Sequence, residues 1–271
     1  MPAKNHGYFL AKVTGDEPEG GHVKSHVYEK LEQFFERNSK PRADAEGTGG
    51  PRLPHLVSFA KCLRYSEANI AILEAEIEDS GRLQAQYPEV YANLLTCAHQ
   101  RDNRTPLEYG QDLVASWVFE DVFYRYLRDR LPHSGMHVKL SGADRRREIL
   151  SSANVSASSD YLLSFNGRDA YLELVNDYHG YWAKNLQCDL RDSKWDHLCR
   201  LASPDRPSLL LGLDLTNNKY FLMNVRESQD VRFLPSHPPY GGKPAYSISL
   251  RNRLRDFTFG GMLAALQGEL A

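Results

Sequence analysis

The segment Asp160-Tyr161-Leu162-Leu163-Ser164-Phe165-Asn166-Gly167-Arg168-Asp169-Ala170-Tyr171-Leu172-Glu173-Leu174-Val175 sets two carboxylates opposite one another. Asn166-Gly167 between apolar runs is a type I′ turn signal, because that turn needs φ > 0 at both central residues. With that turn, Phe165 pairs with Arg168, Leu163 with Ala170, Tyr161 with Leu172, and Asp160 falls opposite Glu173. Directly opposed side chains have Cβ atoms about 5 Å apart, and like charges there repel. A fold keeps such a pair when something offsets the repulsion: a shared proton, a nearby Lys or Arg, or a divalent cation bound through hard oxygen ligands.

The elements that position this pair follow from periodicity. Val23, Val27, Leu31, Phe34 and Phe35 predict a helix over 22–38, and further helices are expected over 55–65, 66–79 and 88–99. Between the first two, residues 39–54 form a Pro-, Gly- and charge-rich loop, the expected mobile segment. Thr105-Pro106-Leu107-Glu108 is a capping box with Pro in the first turn. It predicts a helix running to Leu131, with an apolar stripe of Leu113, Trp117, Tyr124, Leu127 and Leu131 that includes Glu120. A charge within such a stripe is expected to be paired, to snorkel to water or to act as a ligand.

Residues 136–140 read as a short strand, followed by a polar basic loop containing Arg145, Arg146 and Arg147 and a Ser-rich run. After the carboxylate hairpin come a helix over 189–201, a buried strand over 208–215 and a second hairpin turning at Asn217-Asn218. The order predicts an α/β (α+β) core, a central mixed sheet flanked by helices over 105–271 with a C-terminal extension, preceded by a helical N-terminal region over 1–104.

Composition narrows the function classes. The 271 residues are 41% hydrophobic and 25% charged, with net charge −2, so no global basic field announces a nucleic-acid partner and any such contact needs a local basic surface. Arg251-Asn252-Arg253-Leu254-Arg255 would present three charges on one face if extended, and with Arg145–Arg147 it is the expected DNA contact. Cys62, Cys97, Cys188 and Cys199 form no C-x-x-C pair and are expected to be buried free thiols. No signal peptide or spanning segment is evident, and a cytoplasmic protein is expected. His22 and His26 with Glu29 have zinc-compatible spacing, but no partner motif accompanies them.

A helix with an inward Glu, a short strand, an Asp-opened strand, a hairpin, a strand carrying Glu, then a helix and a strand resembles the PD-(D/E)XK nuclease superfamily over about Pro106 to Val225. The resemblance implies a restriction-endonuclease-like fold and Mg²⁺-dependent phosphodiester hydrolysis. It matches Asp160 to the motif Asp, Glu173 to the (D/E) position and Glu120 to the acidic residue on the first core helix, all three as metal ligands. Two positions depart: Ser159 replaces the motif Pro, and Val175 replaces the motif Lys. Lys184 or Lys194 is expected to supply the amine, Lys184 having the shorter reach.

The expectation is thus a DNA endonuclease of the type II restriction or other defence kind, acting on double-stranded DNA as a homodimer. The alternatives are a catalytically inactive nucleic-acid-binding or regulatory module of the same fold, marked by Val175, and a structural protein whose carboxylates border a salt-bridge network.

Overall fold

The structure, a computed structural model, describes residues 25–38, 60–61, 63–74, 80–101, 106–141 and 159–271. Helices α1 (Ser25–Asn38), α2 (Glu67–Glu74), α3 (Ser80–Gln86), α4 (Pro88–Arg101) and α5 (Pro106–Arg130) precede strands β1 (His137–Leu140), β2 (Tyr161–Phe165) and β3 (Arg168–Asp177). Then follow α6 (Tyr181–Asn185), β4 (Gln187–Arg191), α7 (Asp192–Leu201), β5 (Ser208–Asp214) and β6 (Lys219–Asn224). The chain ends with β7 (Val231–His237), β8 (Lys243–Ser249), β9 (Arg255–Asp256) and α8 (Phe259–Leu270).

The expected mixed α/β core is present. Its six strands run in the order β1-β2-β3-β5-β6-β9. β3 and β5 are parallel, joined through α7, and the other neighbours are antiparallel. All seven residues of β5 are buried, as a central strand covered on both faces requires. On one face, Leu172, Leu174, Leu209 and Leu211 pack with Val118, Val122 and Phe123 of α5, Leu31 and Phe34 of α1, and Met262 and Leu266 of α8. On the other, Leu210, Phe221 and Met223 pack with Trp195 and Leu198 of α7 and with a second, three-stranded sheet of order β4-β8-β7.

Phe221 lies across Gly212 so closely that a Cβ added to the glycine would sit 2.0 Å from the ring. Overpacking of this kind costs roughly 1–3 kcal/mol. Gly212→Ala is expected to lower the thermal unfolding midpoint by several degrees, and an unchanged midpoint would contradict this packing.

Several sequence expectations require correction. The helix placed over 189–201 begins at Asp192, because residues 187–191 pair with β8 as a strand. Arg251, Arg253 and Arg255 do not share a strand face: residues 251–253 form a turn, in which Arg253 N–H donates to the Leu250 carbonyl, and only Arg255 enters β9. Along α5 the buried carboxylate is Asp121, which accepts from the Tyr65 hydroxyl at 2.8 Å, while Glu120 is half-buried at the margin. The stripe drawn through Glu120 was displaced by one residue because apolar side chains surround most of this helix.

Cys188 is buried but Cys199 is exposed. The 39–54 loop, Thr105, Arg145–Arg147, most of the Ser-rich run, most of the 55–65 helix, Cys62 and His22 lie outside the described residues, as do the side chains of His26, Glu29 and Cys97. Among the described residues, no helix is long and apolar enough to cross a membrane.

Candidate metal and phosphodiester site

The hairpin register is the expected one. Phe165 pairs with Arg168, Leu163 with Ala170 and Tyr161 with Leu172. Asn166 and Gly167 have φ of 50° and 79°, the left-handed values a type I′ turn demands. The β2 ladder ends at Tyr161, and the next residue outward, Asp160, falls opposite Glu173. Its carboxylate folds onto β3 and accepts the Leu174 N–H at 2.8 Å, while its own carbonyl accepts Ser141 N–H. Ser159, in the place of the motif Pro, is buried.

Alternation along β3 sends Leu172 and Leu174 into the α5 layer and turns Glu173 and Val175 toward α7. Glu173 is 1% exposed. A carboxylate so deep needs a countercharge, and Lys194 supplies it: its ammonium forms an ion pair with Glu173 Oε1. Lys194 is the third residue of α7, and α7 follows β4 without a linker. β4 is anchored in turn. Asp189 Oδ2 contacts His237 Nε2 at 2.9 Å, its Oδ1 accepts from Gln187 at 2.6 Å, and its carbonyl accepts the Tyr240 hydroxyl at 2.7 Å. The crossover that makes β3 and β5 parallel therefore carries the amine over the carboxylates.

Of the two candidate lysines, Lys194 is the one brought to the site. Lys184 is exposed on α6. Val175, at the motif Lys position, packs against the apolar cluster of Trp182, Leu210 and Phe221. The amine thus reaches the carboxylates from the helix side, not from the strand. Glu120 acts on the same group: its charge, with those of Glu173 and Asp160, raises the Lys194 pKa against the opposing effect of burial. Tyr161 fixes the relation of α5 to the sheet by donating its hydroxyl to the Glu120 carbonyl at 2.8 Å.

Tyr178 lies just past β3, in the polar and aromatic run 176–182 whose composition suits phosphate or base contacts and an ordinary packed loop equally. Burial, and then the charges of Asp112 and Glu120, raise its pKa, opposed by a hydrogen bond with Asn176.

Burial pushes the Glu173 carboxyl from 4.5 up to about 8, with the Asp160 charge adding to the shift and Lys194 opposing it. The folded state therefore keeps a proton that the unfolded chain releases above 4.5, so this group's contribution to stability is lost as pH rises from 4.5 through about 8. A cation requires the deprotonated form. Divalent-metal affinity is expected to rise about tenfold per pH unit below 8 and to level off above it. Titration calorimetry at pH 6, 7, 8 and 9 checks this, and a flat profile would contradict the shift.

The donor set suits Mg²⁺, which is usually held by one or two carboxylates together with waters and substrate phosphate. Asp160 and Glu173 are such a pair, one immediately before β2 and hydrogen-bonded to the β3 backbone, the other within β3, and close enough for a proton on Glu173 to be hydrogen-bonded to Asp160. Among the described residues, no group of three or more His, Cys, Asp or Glu side chains is placed to hold a metal ion by itself, so Glu120 does not complete a protein-only cage.

No family model matches the chain, and no curated protein matches it in sequence. Among solved structures it is similar to a Holliday junction resolvase from the archaeal hyperthermophile Archaeoglobus fulgidus. The two share 11% identity at a TM-score of 0.33, over 54% of this chain and 95% of that one.

Proposed function

We propose that this chain is a divalent-metal-dependent DNA endonuclease, and within that class a restriction or other defence nuclease acting on double-stranded DNA. One observation carries the reading: Asp160, Glu173 and Lys194, drawn from three separate elements, meet on one face of the sheet. With α6 and β4 inserted between β3 and α7, the order α5, β1, β2, β3, α7, β5 is the one the PD-(D/E)XK resemblance implies, and it supports assigning these three residues the motif roles.

Mg²⁺ bound at this site would neutralise charge on the scissile phosphate and activate a water. Asp160 and Glu173 would hold it, with Glu120 contributing through water or through the field it exerts on Lys194. β3 keeps Glu173 fixed, and the Leu174 N–H holds the Asp160 carboxylate against the same strand, so little reorganisation accompanies the reaction. Lys194, protonated and mounted on α7, would orient the attacking water and stabilise developing negative charge. Arg145–Arg147 and Arg251, Arg253 and Arg255 remain proposed backbone contacts.

Incubation with supercoiled plasmid and Mg²⁺, then with EDTA, tests the reading. Nicking or linearisation that chelation abolishes is expected, and discrete fragments would support the restriction reading over non-specific digestion. DNA binding without cleavage at any metal concentration would replace it with the inactive module of the same fold. Neither binding nor cleavage at low salt would overturn both.

A further inference from the structure

The ammonium that neutralises Glu173 also closes it. Glu173 Oε1 has no contact with solvent, and the group against it is the Lys194 amine. No ion can bond that oxygen while the amine stays in place. The lysine is the member of the pair with a route to solvent, since its side chain is 42% exposed whereas that of Glu173 is 2% exposed. It approaches from α7, above the carboxylates, so swinging away disturbs no strand. An amine at residue 175 would rise instead from β3, the strand that carries Glu173, where Val175 is packed among apolar side chains.

We propose that Lys194 is a displaceable occupant of the cation position at Glu173 Oε1, so that a divalent metal bonds that oxygen only by expelling the ammonium. This rests on the metal-dependent reading of the site and adds its regulation. Only the fraction of molecules with Lys194 swung out is competent to bind, and the apparent affinity falls by that fraction. The released amine turns toward solvent, where an incoming phosphate would lie. Metal and nucleic acid then favour each other's binding through one side chain, and the coupling is reciprocal.

The test uses Mn²⁺ alone and reads the lysine directly. Wild-type protein is treated with a limiting amine-acylating reagent with and without saturating Mn²⁺, and acylation of Lys194 is quantified by peptide mass spectrometry. The expected result is a severalfold rise in Lys194 acylation with Mn²⁺, other lysines remaining constant. In parallel, calorimetry compares Mn²⁺ binding by wild type and Lys194→Met, with affinity expected to rise about tenfold or more in the variant. The wild-type labelling stands even if the variant misfolds. Mn²⁺ binding with Lys194 acylation unchanged or reduced would overturn the displacement and leave the nuclease reading intact. No Mn²⁺ binding by either protein at millimolar concentration would overturn both.

Discussion

Glu173→Gln is expected to lower Mg²⁺-dependent plasmid cleavage by about 10³-fold, roughly 4 kcal/mol of transition-state stabilisation. The substitution is nearly isosteric, so packing around a residue 1% exposed is preserved. What changes is charge: a neutral amide replaces a metal ligand and leaves the Lys194 ammonium facing only Asp160 and Glu120. Removing this buried carboxyl also removes the burden of ionising it, and the partly exposed Lys194 can turn to water, so the thermal midpoint is expected to hold or rise at pH 8. Activity and stability therefore move in different directions. Cleavage at wild-type rates would end the assignment of Glu173. Cleavage lost together with a collapsed midpoint would mean that the residue only supports the fold.

Lys194→Ala is expected to cost about 10²-fold or more in cleavage, while Lys184→Ala stays within about twofold of wild type. The contrast decides which amine replaced the one missing at residue 175. Lys194 is ion-paired with Glu173, whereas Lys184 is exposed on α6. DNA binding measured without metal is expected to persist in both variants, since one amine is a small part of a multi-phosphate contact. Equal losses in the two variants, or a larger loss from Lys184→Ala, would remove Lys194 from the proposed mechanism.

The carboxylate pair was legible because its signal is local. Asn166-Gly167 dictates the turn, the turn dictates the register, and a period of two dictates the face. The core order from α5 to β6, apart from α6 and β4, was legible for a similar reason, each element carrying its own cap, turn or apolar run. The choice between Lys184 and Lys194 was not, because the position of the amine depends on pairing across a long stretch of chain. Residues 187–191 alternate over only five positions and become β4 by pairing with 245–249. Without that partner the segment merges into the following helical pattern, which moves Lys194 deeper into α7 and makes Lys184 look better placed. The three-stranded sheet was invisible for the same reason. Whether Glu120 lay within the stripe or at its edge was open in the sequence, because α5 is apolar on most of its circumference and a stripe can be drawn more than one way; it lies at the edge.

The first described helix is tied down by residues near the opposite end of the chain. Lys30 donates to Thr216 and Asn38 to Asn218, over separations of 186 and 180 residues, and the Phe34 ring packs 4.8 Å from that of Phe257. Contacts this distant along the chain carry the loop-closure entropy that slows folding. During synthesis at 5–20 residues per second, α1 waits roughly 10–40 s before its docking surface leaves the ribosome. Phe35 can meet Phe119 and Tyr126 of α5 well before then, but the contact of Phe34 with Phe257 and the Lys30 and Asn38 hydrogen bonds must wait, so α1 docks in two stages.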